Sequence, residues 1–200
     1  MVKNLPPRTE NNLLSSWDTF VVPLHAHPIF KKMGGLSLIS AVLTRKVWLK
    51  THPAMPALFP NLYVLLCGPP GSGKDLVVNT IRDLLEVMLS EMEAGTGINV
   101  GPESLSTKGL IDALADDNAR FTFTYKEKGK SVTVHYHSLY IAIGELGAFM
   151  PEYNVQMVSI VNDLFGCKRS FIERVRGRGA SSEVKIENPH LSLLLGTQPA

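Results

Sequence analysis

The feature that most constrains this 200-residue chain is the turn Gly68-Pro-Pro-Gly-Ser-Gly-Lys74, set between an apolar run and an amphipathic segment. Leu62-Tyr-Val-Leu-Leu-Cys67 before it is continuously apolar, the pattern of a strand buried on both faces. Asp75 to Met92 after it carries Leu76, Val77, Ile81, Leu84, Leu85 and Met88 at helical spacing. Strand, glycine-rich turn and helix in this order let successive backbone N–H groups curl around an anion. The glycines permit the curl, the helix N-terminus adds its dipole, and Lys74 brings a mobile positive charge. The turn therefore predicts phosphate binding by Gly68, Pro69, Pro70, Gly71, Ser72, Gly73, Lys74 and Asp75.

The rest of the chain predicts an α/β arrangement around that turn. Residues 1 to about 18 read as an extended, polar lead-in, and Pro28 to Lys50 as helices, so 1–60 form an extended and helical N-terminal region ahead of a core over 61–200. Ile98-Asn-Val100 reads as a short strand and Ser106 to Asp116 as a helix with hydroxyl caps at its start. Phe121–Tyr125 and Ser131–Tyr136 alternate with period two around Lys-Glu-Lys-Gly-Lys130, a hairpin that leads into the strand Leu139–Ile143. A helix over Asn154–Phe165 precedes a second hairpin, Phe171–Arg176 with Glu183–Ile186, and then a last strand, Leu191–Leu195. Strands alternating with helices indicate a three-layer parallel sheet with N-terminal helices and two hairpin insertions. Ligands of such sheets bind at the carboxyl ends of the strands.

Composition narrows the function classes. A formal net charge of +2 is too mild to argue for nucleic acid or membrane by itself. No apolar run approaches the roughly 18 residues of a membrane span and the N-terminus lacks a signal-peptide core, so a cytoplasmic location is expected. Cys67 and Cys167 read as reduced thiols. His25 with His27, and His135 with His137, lack further ligands at metal spacing and read as structural, as do Trp17 and Trp48 as packing residues.

Two further strand ends carry chemistry. Ile141-Ala-Ile-Gly-Glu145 is an apolar strand ending in a carboxylate, and Glu145 is suited to orienting or deprotonating water. Leu191–Leu195 ends in Gly196-Thr-Gln-Pro199, which offers Thr197 and Gln198 to a terminal phosphate or attacking water; a plain Thr-Gln-Pro turn is the equal alternative. Lys74, Glu145, Thr197 and Gln198 are the catalytic candidates.

Together these segments resemble the P-loop nucleoside triphosphatases of the AAA+ helicase type, with an AAA+/RecA-like core. The nearest resemblance is to the primase-helicase-like proteins of phages and mobile elements. The resemblance implies ATP and Mg²⁺ as cofactors, a homo-oligomeric ring, and a motor of DNA replication acting on single-stranded or forked DNA. It casts Gly68–Lys74 as a Walker A loop and Ile141–Glu145 as a Walker B strand. Two positions depart from the pattern: Asp75 stands where a metal-binding hydroxyl is expected, and Gly144 where a metal-binding carboxylate is expected. Both departures touch the same metal, so Asp75 is predicted to supply the carboxylate that Gly144 lacks, with Asp75 and Glu145 as the metal candidates. The other reading is degeneration into a nucleotide-binding module that acts as an assembly or regulatory switch. A small-molecule kinase is a third class, disfavoured because the hydroxyl after the loop lysine is missing.

Lys168, Arg169, Arg174, Arg176, Arg178 and Lys185 gather on the second hairpin, and helicases with a hairpin before the sensor strand look like this. A basic hairpin suits sequence-independent phosphate contacts, and a solvated charged hairpin is the equal alternative. The resemblance also implies a further strand and helices after the candidate sensor strand, so the sequence reads as truncated there.

Overall fold

The computed structural model describes residues 13–50, 52, 54–91, 97–150, 154–176 and 181–199. The order of elements is α1 (Leu13–Phe20), α2 (Pro28–Leu43), β1 (Tyr63–Cys67), α3 (Lys74–Glu91), α4 (Thr107–Ala115), β2 (Arg120–Glu127), β3 (Lys130–Ile143), α5 (Leu146–Phe149), α6 (Val155–Phe165), β4 (Ser170–Arg176), β5 (Ser181–Glu187) and β6 (Pro189–Thr197). Local chemistry fixes many of these boundaries. The Ser106 side chain accepts from the Gly109 N–H to cap α4, and the Asn154 side chain accepts from the Met157 N–H to cap α6. Lys128 and Gly129 both hold positive φ, the geometry of a two-residue turn whose twist matches the β2–β3 hairpin.

The main sheet runs β1-β6-β3-β2. β6 lies parallel to both β1 and β3, and β2 is antiparallel to β3. One layer of helices, α1 to α3, packs on one face around Trp17, Leu38, Leu66, Ile81, Tyr140 and Leu194. The other face is covered by α4, α6 and the β4–β5 hairpin around Leu114, Ile141, Phe149, Met157, Ile186 and Leu193. β6 is buried along nearly its whole length because it lies between β1 and β3 with helices on both faces.

Several sequence expectations are corrected. The lead-in is not extended throughout, since Leu13–Phe20 is helical. Trp17 of that helix lies against Gly34 and Gly35; a Cβ at Gly35 would collide with its ring, one at Gly34 with Val77, and its Nε1–H donates to the Lys31 carbonyl at 2.7 Å. The helical pattern of 28–50 stops at Leu43, where Thr44 turns to positive φ, and beyond it Leu49 pairs with Leu58 across a closed loop. The sheet is mixed rather than parallel. The first hairpin is no insertion, because its second strand runs unbroken into the core as β3. Ile98–Val100 is reduced to a single bridge of Val100 on Tyr140, closed by the Gly101 N–H donating to the Tyr140 carbonyl and the Tyr140 N–H donating to the Asn99 carbonyl. β1 is not buried on both faces: Leu65 is 52% exposed and Cys67 is exposed, since β1 is the edge of the sheet among the described residues.

Candidate functional site

The register of the sheet brings three strand ends together. Cys67 of β1 is opposite Thr197 of β6, and Ile143 of β3 is opposite Leu195, so Gly144 falls beside Gly196. The Gly68 N–H donates to the Thr197 carbonyl at 3.2 Å, which ties the first residue of the glycine-rich turn to the end of β6. Gly196 is held so closely to Gly144 that a Cβ there would overlap the Gly144 carbonyl. A side chain at 196 would therefore force β3 and β6 apart at the point where the site is built.

The turn itself rises from β1 and delivers Lys74 as the first residue of α3. Gly73 holds φ +81° with Ala26 Cα only 2.6 Å from where a Cβ would stand, so both conformation and space demand glycine. That neighbour belongs to the segment between α1 and α2. His27 N–H donates to the Ser72 carbonyl at 3.4 Å, and the Phe30 ring lies against Gly68. Residues 25–30 thus buttress the turn, an arrangement the sequence reading missed. Its one local signal is His27-Pro28, a cap and first-turn proline that fix where α2 begins.

Polar groups in the turn are left open. Ser72 Oγ is buried beside Gly68 with no hydrogen-bond partner among the described residues. Lys74 is 2% exposed, and among the described residues its Nζ faces Asp75 Oδ2 at 4.0 Å, beyond hydrogen-bond distance. A buried ammonium and a buried hydroxyl without close acceptors or donors are costly in the absence of a ligand, and the turn places both at one helix N-terminus.

Asp75 itself is well exposed, and its Oδ1 stands 2.9 Å from where a Cβ at Gly144 would be. The carboxylate on α3 therefore occupies the volume that a side chain at the end of β3 would fill. Glu145 follows at the start of α5, exposed, with its side chain not used as a cap. Among the described residues Thr197 Oγ1 bonds to the neighbouring Gln198 carbonyl at 3.3 Å, and Gln198 is exposed past the strand end. Pro69, Pro70 and Gly71 are exposed on the crest of the turn. Among the described residues no group of three His, Cys, Asp or Glu side chains lies close enough to hold a metal alone. Asp75 remains the carboxylate at the turn, and hard cations such as Mg²⁺ accept one or two carboxylates with the remaining ligands from phosphate and water.

The basic hairpin is a separate two-stranded sheet. Lys168 is paired with Asp163 at 2.9 Å and Lys185 with Glu187 at 3.4 Å. Arg169 is exposed just before β4, Arg174 and Arg176 lie on β4, and Arg178 lies outside the described residues. His135 and His137 bond within the fold, to Thr122 Oγ1 and to the Glu187 carbonyl. Trp48 packs on Phe123 and Tyr125 as expected but stays 37% exposed, at the opposite end of the sheet from the glycine-rich turn. Among the described residues no helix is long and apolar enough to cross a membrane. Compared with known protein families and with characterised proteins, the chain matches none of the family models and none of those sequences.

Proposed function

We propose that the chain is a P-loop ATPase domain of the AAA+ helicase type, binding ATP with Mg²⁺ at the turn Gly68–Lys74 and acting in a DNA helicase or translocase of phage or mobile-element replication. The observation that carries the reading is the meeting of three strand ends at a glycine-rich turn that heads a helix and holds a buried lysine with no close partner. A strand, β6, lies between the turn-bearing strand and the strand that leads to Glu145, so the turn, the carboxylate and Thr197 share the carboxyl end of the sheet.

In this reading the backbone N–H groups of 71–74 and the Lys74 ammonium bind the phosphates, and the Ser72 hydroxyl gains the partner it lacks. Asp75 stands where a carboxylate at 144 would point and holds the metal side of the site. Glu145 orients the attacking water and takes its proton, while Thr197 or Gln198 contacts the terminal phosphate. Bound Mg²⁺ supplies neutralisation of the phosphate charge. Homo-oligomerisation into a ring and DNA contacts by Arg169 and the β4–β5 hairpin belong to the same proposal.

The test is ATP hydrolysis with and without single-stranded DNA, on this chain and on Lys74→Ala. Hydrolysis that DNA stimulates and Lys74→Ala abolishes supports the motor. Tight ATP binding without turnover supports a nucleotide-binding switch instead, and activity that survives the loss of Lys74 refutes both.

A further inference from the structure

A second open region lies far from the glycine-rich turn. A groove of about 650 Å³ is walled by Trp48, Phe123 and Tyr125 and rimmed by Lys50 and Arg169. Tyr125 is opposite Val132 in the β2–β3 ladder, eleven residues before Ile143 on the same strand. At about 3.3 Å per residue this wall of the groove is about 35 Å along the strand from the end beside the turn, so it and the turn cannot share one small ligand.

Its walls are unusual for a surface. The Trp48 ring stands edge-on to Tyr125 at 4.9 Å and 64°, and Phe123 stacks on Tyr125 at 5.9 Å and 25°. The rings hold one another in place while Trp48 stays 37% exposed and Phe123 and Tyr125 stay half-buried. Arg45 lies 3.9 Å over the Phe59 ring at the base of the groove and is held there by the Cys167 and Pro189 carbonyls. Lys168 is neutralised by Asp163, but Lys50 and Arg169 have no ion-pair partner among the described residues. Glu127 is the acid on the groove wall. Pre-set aromatic faces beside unpaired cations match a ligand that carries flat π faces and regularly spaced negative charge.

We propose that this groove binds single-stranded nucleic acid, with bases stacked on Trp48 and Tyr125 and the backbone phosphates held by Lys50 and Arg169. The inference stands on the groove and does not require the glycine-rich turn to bind a nucleotide. An acidic protein segment would meet the cations but leave the aromatic faces without flat partners.

The chain has two tryptophans, and Trp17 is 4% exposed, so Trp48 supplies the fluorescence a ligand can reach. The experiment titrates the 200-residue chain with oligo(dT), oligo(U) and heparin, without nucleotide and in both wild-type and Lys74→Ala backgrounds. Oligomers of about 12 nucleotides match the site sizes of single-strand grooves. Saturable quenching by an oligonucleotide, weakened about tenfold in Tyr125→Ala, is expected. By anisotropy of a labelled oligonucleotide, Lys50→Ala with Arg169→Ala lowers the slope of log affinity against log salt by about 1.4. Stronger quenching by oligo(dT) identifies DNA as the better ligand and by oligo(U) RNA, and either supports the groove. Absence of binding, binding that leaves emission unchanged, or equal quenching by heparin overturns it. Circular dichroism checks that each variant is folded.

Discussion

At the amino ends of the strands, buried polar groups are closed into sets. Arg45, 5% exposed, donates to the Cys167 carbonyl at 3.0 Å, the Pro189 carbonyl at 2.8 Å and the Lys168 carbonyl at 3.4 Å. Ser40 and Ser192 share a hydrogen bond at 2.6 Å, and Ser37 meets the Tyr140 hydroxyl at 2.9 Å, which partly offsets the burial that pushes the Tyr140 proton loss far upward. At the carboxyl ends the same sheet leaves Lys74 and Ser72 Oγ without close partners. Both ends bury charge, and among the described residues only the amino end closes it with hydrogen bonds. Closed sets stabilise a fold, whereas open ones are kept at a cost in stability that a ligand can offset.

The largest expected effect tests the closed end. Arg45→Ala strips three carbonyls of their donor and leaves a void beside Phe59, so the unfolding free energy should fall by about 4 kcal/mol. Urea unfolding at pH 7 measures it. A loss under about 1 kcal/mol would remove the contrast between the two ends.

Lys74→Met tests the open end and should act with the opposite sign on stability. Replacing a buried ammonium that lacks a close partner by an apolar chain of similar length should raise the unfolding free energy of the unliganded chain by about 1 kcal/mol. In the same variant ATP affinity, measured by calorimetry, should fall about a hundredfold. A variant that is both less stable and unimpaired in ATP binding would make Lys74 a structural cation like Arg45.

His190 is the exception at the closed end. It is 1% exposed, its Nε2 has no partner among the described residues, and its Nδ1 is 3.5 Å from Ser138 Oγ. Burial first, then the nearby Arg45 charge, push its pKa down to about 3. The unfolded chain then binds a proton that the folded chain refuses, so stability is full above about pH 6.5 and falls as pH drops toward 3. Between pH 6.5 and 5 this one group should remove about 2 kcal/mol, and His190→Leu should flatten that part of the stability profile. An unchanged profile in the variant would mean that His190 is protonated without penalty and is another open group.

The sequence carried the turn because its signals are local: an apolar run, spaced glycines and a helical period meet within 30 residues. The meeting of Gly68, Gly144 and Gly196 was legible in outline because each ends an apolar strand, although the register that sets them side by side belongs to the sheet. What failed was tertiary. Periodicity cannot tell an edge strand from a central one, so Leu65 and Cys67 read as buried. Trp17 and Trp48 are alike in sequence, yet one finds Gly34 and Gly35 to lie on and the other only the rim of the β2–β3 hairpin. The buttress of residues 25–30 depends on α2 being seated by Trp17, which no local pattern encodes.

The smallest expected effect asks whether the open end was rearranged or abandoned. Asp75 Oδ1 fills the space of a side chain at 144, so the two positions compete for one volume. Gly144→Asp alone should set two carboxylates against each other, and Asp75→Ser alone should leave none there. Each single variant should therefore lose most of the gain in ATP affinity that Mg²⁺ provides, about tenfold, while ATP binding without Mg²⁺ changes little. The double variant, Asp75→Ser with Gly144→Asp, restores the usual order of hydroxyl and carboxylate and should recover that gain. Calorimetry with and without Mg²⁺, and electron paramagnetic resonance with Mn²⁺ as the probe, read the effect without reference to turnover. Recovery in the double variant means one carboxylate was moved from strand to helix with its task intact. Equal affinities with and without Mg²⁺ in the wild-type chain mean that the carboxylate was moved but its metal was lost.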